Sequence, residues 1–137
     1  MTLSSAYSRS GKLILGRIIF LGIAAFYAYG ALVHILNMLS LTGFAWRIAP
    51  LKWQLLDVAY LILDVTVVVG LLRGARIGIW AFYCAACSQI ALYTVFRAWV
   101  LDVPDAFLRT PEEIAYLDSL VLFHLATIAI MTAAIWW

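Results

Sequence analysis

Four long apolar runs decide what this chain can fold into. They lie at about 12–39, 53–72, 77–101 and 111–137. Each approaches or exceeds the ~20 residues that a helix needs to cross a bilayer. With no water to satisfy backbone N–H and C=O groups, such segments must be helices or strands of a closed barrel. None shows sustained period-2 alternation, so helices are predicted. Composition agrees: 66% of the residues are hydrophobic and 12% charged, whereas soluble domains are near half apolar and a quarter charged. The predicted fold is all-α, a four-helix transmembrane bundle forming one domain over residues 1–137. The net charge of +2 is small and scattered. No basic patch with interleaved aromatics is present, so nucleic acid is not an expected partner.

Positive charges set the expected orientation. Arg9, Lys12 and Arg17 flank the first run, and Arg73 and Arg76 lie between the second and third. Asp102, Asp105, Glu112, Glu113 and Asp118 gather at the opposite end, with Arg47, Lys52 and Arg109 as a smaller basic contribution. The bias places both termini in the cytoplasm, in what reads as a bacterial inner membrane. The apolar run that starts at Leu13 has no clear small-residue cleavage site after it, so it reads as a retained first helix. Arg73-Gly74-Ala75-Arg76 is a tight turn. Thr110-Pro111-Glu112-Glu113 is a helix start, with Thr as N-cap, Pro at the first position and Glu113 completing a capping box. Trp136 and Trp137 suit the inner interface.

The second run carries the anomaly. Asp57 and Asp64 lie inside it, seven residues apart, so both fall on one helix face with Tyr60 between them. An ionised carboxylate at the centre of a spanning helix costs roughly 2.5–3.5 kcal/mol on insertion scales. A chain that keeps two must pair them, hydrate them or use them. Depth, reckoned at ~1.5 Å per residue from each run's centre, puts Asp64 and Gln89 near the midplane and His124 one turn outward. Asp57 lies about two turns outward, and His34, Asn37 and Arg97 lie near the outer edge. The inner half is almost purely apolar. This asymmetry predicts a polar cavity open outward and closed below.

Within that frame Asp57 is expected to pair with Arg97, either as a structural ion pair or as a clamp for an anionic or polar ligand, the alternative being that Arg97 snorkels to the outer interface. Asp64 has no basic residue at its depth. It is read either as hydrogen-bonded to Gln89 or Tyr60, or as a proton or ligand site. His34 and His124 are expected to be satisfied between helices; no HxxxH or ExxH spacing points to a metal site. Cys84-Ala85-Ala86-Cys87 is a CxxC with both sulfurs on one helix face. Its apolar setting favours buried packing residues over a redox pair. Gly16, Gly22, Gly30 and the alanines Ala24, Ala25, Ala28, Ala85 and Ala86 permit close helix approach.

Gly16-Arg17 opens helix one and Gly30 and His34 lie near its outer end. Asp57 is in helix two, and Gly70-Leu71-Leu72-Arg73 runs into the tight turn. In these features the chain resembles the DoxX-like group of small four-helix membrane proteins. The resemblance covers roughly the first 90 residues. It implies the fold and a partner complex, and no particular reaction, because members of the group differ in function. Asp64 and the acidic segment before helix four have no counterpart in it.

The expected function is a small inner-membrane subunit or accessory factor of a larger complex, with other integral subunits or copies of itself as partners. The expected ligand is quinone- or lipid-like, held in the outward cavity, and no enzymatic activity is expected of the chain alone. Two alternatives are an oligomeric proton- or cation-linked transporter using Asp64, and a thiol or metal oxidoreductase.

Overall fold

The computed structural model describes residues 3–42 and 44–136, with side chains from residue 14 onward. The side chains of Arg9 and Lys12, and all of Trp137, therefore lie outside the described residues. Among the described residues there is no strand. Five helices follow one another: α1 Leu3–Met38, α2 Leu51–Leu72, α3 Arg76–Tyr93, the short α4 Arg97–Leu101, and α5 Pro111–Trp136. Single 3₁₀ turns at Trp46–Ile48 and Asp105–Phe107 interrupt the two longer connections. Residues Ile14–Met38 of α1, all of α2 and all of α5 are long and apolar enough to cross a membrane. Many of their large apolar side chains point away from the molecule, Ile18, Leu55, Ile62 and Leu122 among them. That much exposed apolar surface is untenable in water and ordinary in lipid.

The third apolar run does not form one helix to residue 101. It breaks at Thr94–Phe96, where two β-branched residues and a phenylalanine carry weak helix propensity. The Thr94 hydroxyl donates back to the Ile90 carbonyl at 2.6 Å, and the Phe96 amide reaches the Ala91 carbonyl at 2.9 Å. Both contacts close α3. Its 18 residues rise about 27 Å, just short of the ~30 Å hydrocarbon core. Helix one begins earlier than the apolar run, at Leu3. The Thr110 capping box forms as predicted: Thr110 N donates to Glu113 Oε2 at 2.9 Å and Glu113 N to Thr110 Oγ1 at 3.3 Å.

Helices α1, α2, α3 and α5 pack in cyclic order, each against the next and α5 back against α1. Between them Tyr27, Val67, Phe82 and Met131 are fully enclosed, with Ala81, Ala85 and Ala86 supplying the close α3 surface. Lipid tails are as apolar as these side chains, so the association rests on close packing and interhelical hydrogen bonds. The tightest approach is between α2 and α3. A methyl on Gly70 would collide with the backbone of Gly78, and one on Gly78 with the backbone of Gly70 and Leu71. Gly74 (φ 63°) makes the turn between them. Its amide bonds Leu71 O at 3.1 Å and the Ala75 amide bonds Gly70 O at 2.8 Å, a Schellman closure. By contrast, a methyl on Gly16 or Gly22 would meet no described atom within 4 Å, so these two are not contact points.

Hydrogen bonds sew the same seams. Tyr60 of α2 donates to Ser88 of α3 at 2.9 Å. Between α3 and α5, Gln89 meets His124 at 2.7 Å and Tyr83 meets Thr132 at 2.7 Å. Such bonds between membrane helices contribute roughly 0.6–2 kcal/mol each.

Candidate functional site

The α1–α2 seam holds the polar centre. Asp57 accepts three N–H groups: Asn37 Nδ2 at 2.8 Å and His34 Nδ1 at 2.8 Å on Oδ1, and Trp46 Nε1 at 2.9 Å on Oδ2. An indole nitrogen can only donate, and the Asn37 amide is oriented by Thr42 donating to its oxygen at 2.6 Å. The carboxylate is therefore the acceptor, and His34 carries a proton on Nδ1. Trp46 is delivered by the end of α1. Ser40 adopts φ 59°, Leu41 N bonds Leu36 O at 2.9 Å, and the Ser40 hydroxyl accepts the Trp46 amide at 3.0 Å. The positive φ of a non-glycine residue is thus offset by a bond that aims Trp46 at Asp57.

The expected Asp57–Arg97 pair does not form. Arg97 follows the break after α3 and turns to α5, where Nη1 lies 2.5 Å from Asp118 Oδ1. Asp57 instead draws all its partners from α1 and the segment after it. No separate cation reaches it among the described residues, apart from His34 when that ring is doubly protonated.

Asp64, one seven-residue step deeper, is 2% exposed. Its Oδ2 lies against Gly30 and 3.8 Å from His34 Nε2. Its Oδ1 has no hydrogen-bond partner. The expected partners are engaged elsewhere, Tyr60 with Ser88 and Gln89 with His124. His34 therefore stands between the two carboxylates, held by Asp57 through Nδ1 and presenting Nε2 toward Asp64. Tyr60 stacks on its ring at 6.0 Å between centroids.

A cavity of about 630 Å³ opens above this centre. His34, Asn37, Asp57, Tyr60, Asp64 and Gln89 line it, together with Tyr27, Gly30 and Tyr93. Its mouth is at the end of the molecule that carries Thr42, Phe44, Arg109 and Glu112. Arg109 lies over the Trp53 ring at 4.5 Å and the Phe44 ring at 5.4 Å, and pairs with Glu113 at 3.0 Å. Lys52 holds the neighbouring wall by donating to the Trp99 and Asp102 carbonyls. Trp53 adds a bond to Val100 O at 3.0 Å. Tyr29 and Tyr116 line the cavity yet are 59% and 57% exposed, so it also reaches the flank between α1 and α5. Below, Phe26 stacks on Phe123 at 3.8 Å between centroids and brings those helices together.

The sequence candidates thus divide. Asp57, Asp64, His34, Tyr60 and Gln89 share one cavity. Arg97 and His124 do not line it; His124 is buried behind Gln89, with Nδ1 unpartnered. The two histidines have separate partners. Among the described residues no group of three or more His, Cys, Asp or Glu side chains could hold a metal ion. Cys84 and Cys87 are free and exposed, not buried. They share a face with Ile77 and Trp80, which is 71% exposed. From the sequence Asn37 is placed only by its depth, and Trp46 is not expected at the site. The donor-only indole of Trp46, shortly before a spanning helix that carries an acid, was the available signal for it. Compared with known proteins, the chain matches no family model, no curated protein and no solved structure.

Proposed function

We propose that the chain is a four-helix transmembrane bundle, α4 being an appendage of α3, with both termini on the cytoplasmic side of a bacterial inner membrane. It serves as a small subunit or accessory factor of a membrane complex and binds a quinone- or lipid-like amphiphile in the cavity, which then faces outward. The observation that carries this reading is Asp64. It is a buried carboxyl with an unpartnered oxygen, lining a cavity of about 630 Å³ whose walls include eight Phe, Tyr and Trp side chains. Pockets of roughly 300–1,000 Å³ with apolar walls and a few convergent polar groups are the usual form of small-molecule sites. An intramembrane ionisable residue is a functional candidate by default. The flank between Tyr29 and Tyr116 gives a membrane-dissolved ligand a way in. The resemblance to the DoxX-like group adds weight to a partner complex.

A second reading draws on the 3.8 Å approach of His34 Nε2 to Asp64 Oδ2. A proton held between them suits a homo-oligomeric, proton- or cation-linked transporter. Purification in mild detergent, followed by mass spectrometry of bound proteins and lipids, separates the two. Co-purifying subunits or a stoichiometric amphiphile support the first. A homo-oligomer that passes protons or cations in liposomes, and stops on Asp64→Asn, supports the second. An empty monomer that passes nothing overturns both.

A further inference from the structure

Charge narrows the ligand class that the amphiphile reading leaves open, and the inference rests on that reading. Four carboxylates line the cavity, Asp57, Asp64, Glu112 and Glu113, against two groups able to carry positive charge, His34 and Arg109. Arg109 is committed to Glu113 and to the faces of Trp53 and Phe44. His34 is committed through Nδ1 to Asp57. Even with its ring doubly protonated, the carboxylates outnumber the cations by two.

Asp64 gives this imbalance a location. It is nearly fully buried, it lines the cavity, and its Oδ1 accepts no hydrogen bond. Buried polar atoms rarely lack partners, and an ionised carboxylate can only accept. What completes its ionised form is a positive or hydrogen-donating group. The surrounding walls include the aromatic side chains Phe26, Tyr27, Tyr60 and Tyr93, and aromatic rings attract cations, quaternary ones included. An amphiphile with a phosphate, sulfate or carboxylate head would meet like charge at the same place.

We propose that the cavity binds a lipophilic organic cation, a protonated amine or a quaternary onium group on an apolar body. Asp64 is its counter-ion, the tyrosine and phenylalanine side chains enclose it, and Glu112 adds attraction at the mouth. The apolar body leaves the site between Tyr29 and Tyr116.

The test uses the full chain in zwitterionic nanodiscs, with empty nanodiscs correcting for partition. Tetraphenylphosphonium and tetraphenylborate are probes of nearly equal size and opposite charge, and a short-chain quinone is the neutral probe. The phosphonium should bind saturably and at least about tenfold tighter than the borate. Asp64→Asn should weaken it by about tenfold or more, and Glu112→Gln, at the solvated mouth, by about two- to threefold. The wild-type preference between the two ions decides the matter even if Asp64→Asn fails to fold. Borate binding as tight as phosphonium overturns the cation class, and so does quinone binding that phosphonium cannot displace. Either result leaves an amphiphile cavity standing. Saturable binding of none of the three overturns the cavity reading as well.

Discussion

Gly30 of α1 and Asp64 of α2 are packed so closely that a methyl on Gly30 would lie 2.5 Å from Asp64 Oδ2. The absent side chain is what lets the carboxyl sit between the helices, within reach of His34. Gly30→Ala should push the Asp64 carboxyl aside and weaken ligand binding to about the level of Asp64→Asn. Its cost in stability should be modest, because the obstructing atom ends a side chain that can rotate. Ligand titration beside thermal unfolding in detergent checks the pair of effects; a large loss of stability with binding intact contradicts it.

The Gly70–Gly78 contact should behave in the opposite way. There backbone meets backbone, and neither helix can yield without moving as a whole. Gly70→Ala or Gly78→Ala should destabilise the fold by about 1–3 kcal/mol or more, as overpacking of a dense core does. The measurement is the unfolding midpoint in mixed micelles of increasing SDS fraction. A midpoint equal to that of Gly16→Ala, which meets open space, would count against the close crossing.

Trp46 supplies the donor on Asp57 Oδ2. Trp46→Phe keeps an aromatic ring and removes that donor, leaving a buried carboxylate oxygen unpaired, at a cost of about 1–3 kcal/mol. In an Asp57→Asn background the same substitution should cost much less, because the charge that needs the donor is gone. Unfolding of the two single variants and the double variant tests this. Equal effects of Trp46→Phe in both backgrounds would show that the indole acts by packing alone.

Arg97 should couple to Asp118 and not to Asp57. The Asp118 carboxylate holds the Arg97 guanidinium above its usual pKa, chiefly through their hydrogen bond. Any loss of stability on Arg97→Ala should vanish in an Asp118→Ala background and persist unchanged in Asp57→Asn. A double-mutant cycle on each pair reads this directly. Coupling to Asp57 would restore the pairing that the sequence suggested.

Cys84 and Cys87 lie on the outward face of α3. Replacing both with Ala should change stability by no more than about 0.5 kcal/mol, as exposed substitutions usually do. In the proposed bilayer setting, a membrane-permeant maleimide should label them, whereas a charged, impermeant reagent should not until the protein is unfolded in SDS. Labelling of intact membranes by the impermeant reagent would place this face in water.

Local chemistry made much of the molecule legible. The helical runs, the α2–α3 turn at Gly74 and the capping box at Thr110 follow from nearest-neighbour rules: apolar length, the freedom of glycine, and one side chain satisfying one amide. Depth along a helix is also local arithmetic: it grades Asp64 and Gln89, then Asp57, then His34 outward along the bundle, and all four line one cavity. Depth says nothing about azimuth. Arg97 matched Asp57 in height, yet the break at Thr94–Phe96 turned it to Asp118, and residues distant in sequence decided that. The same holds for the cysteines, whose polarity cannot reveal which side of α3 faces the neighbours.

The sequence by itself determined that this chain is helical, that long apolar runs dominate it, and that one of them carries two carboxyl groups seven residues apart. Those properties are sums over neighbouring residues. Only the tertiary structure decided that Asp57 is satisfied by Asn37, His34 and Trp46 while Asp64, behind Gly30, is left with an oxygen unpaired. Hydrogen bonds need direction as well as distance, and direction is set by how α1 and α2 rotate against each other.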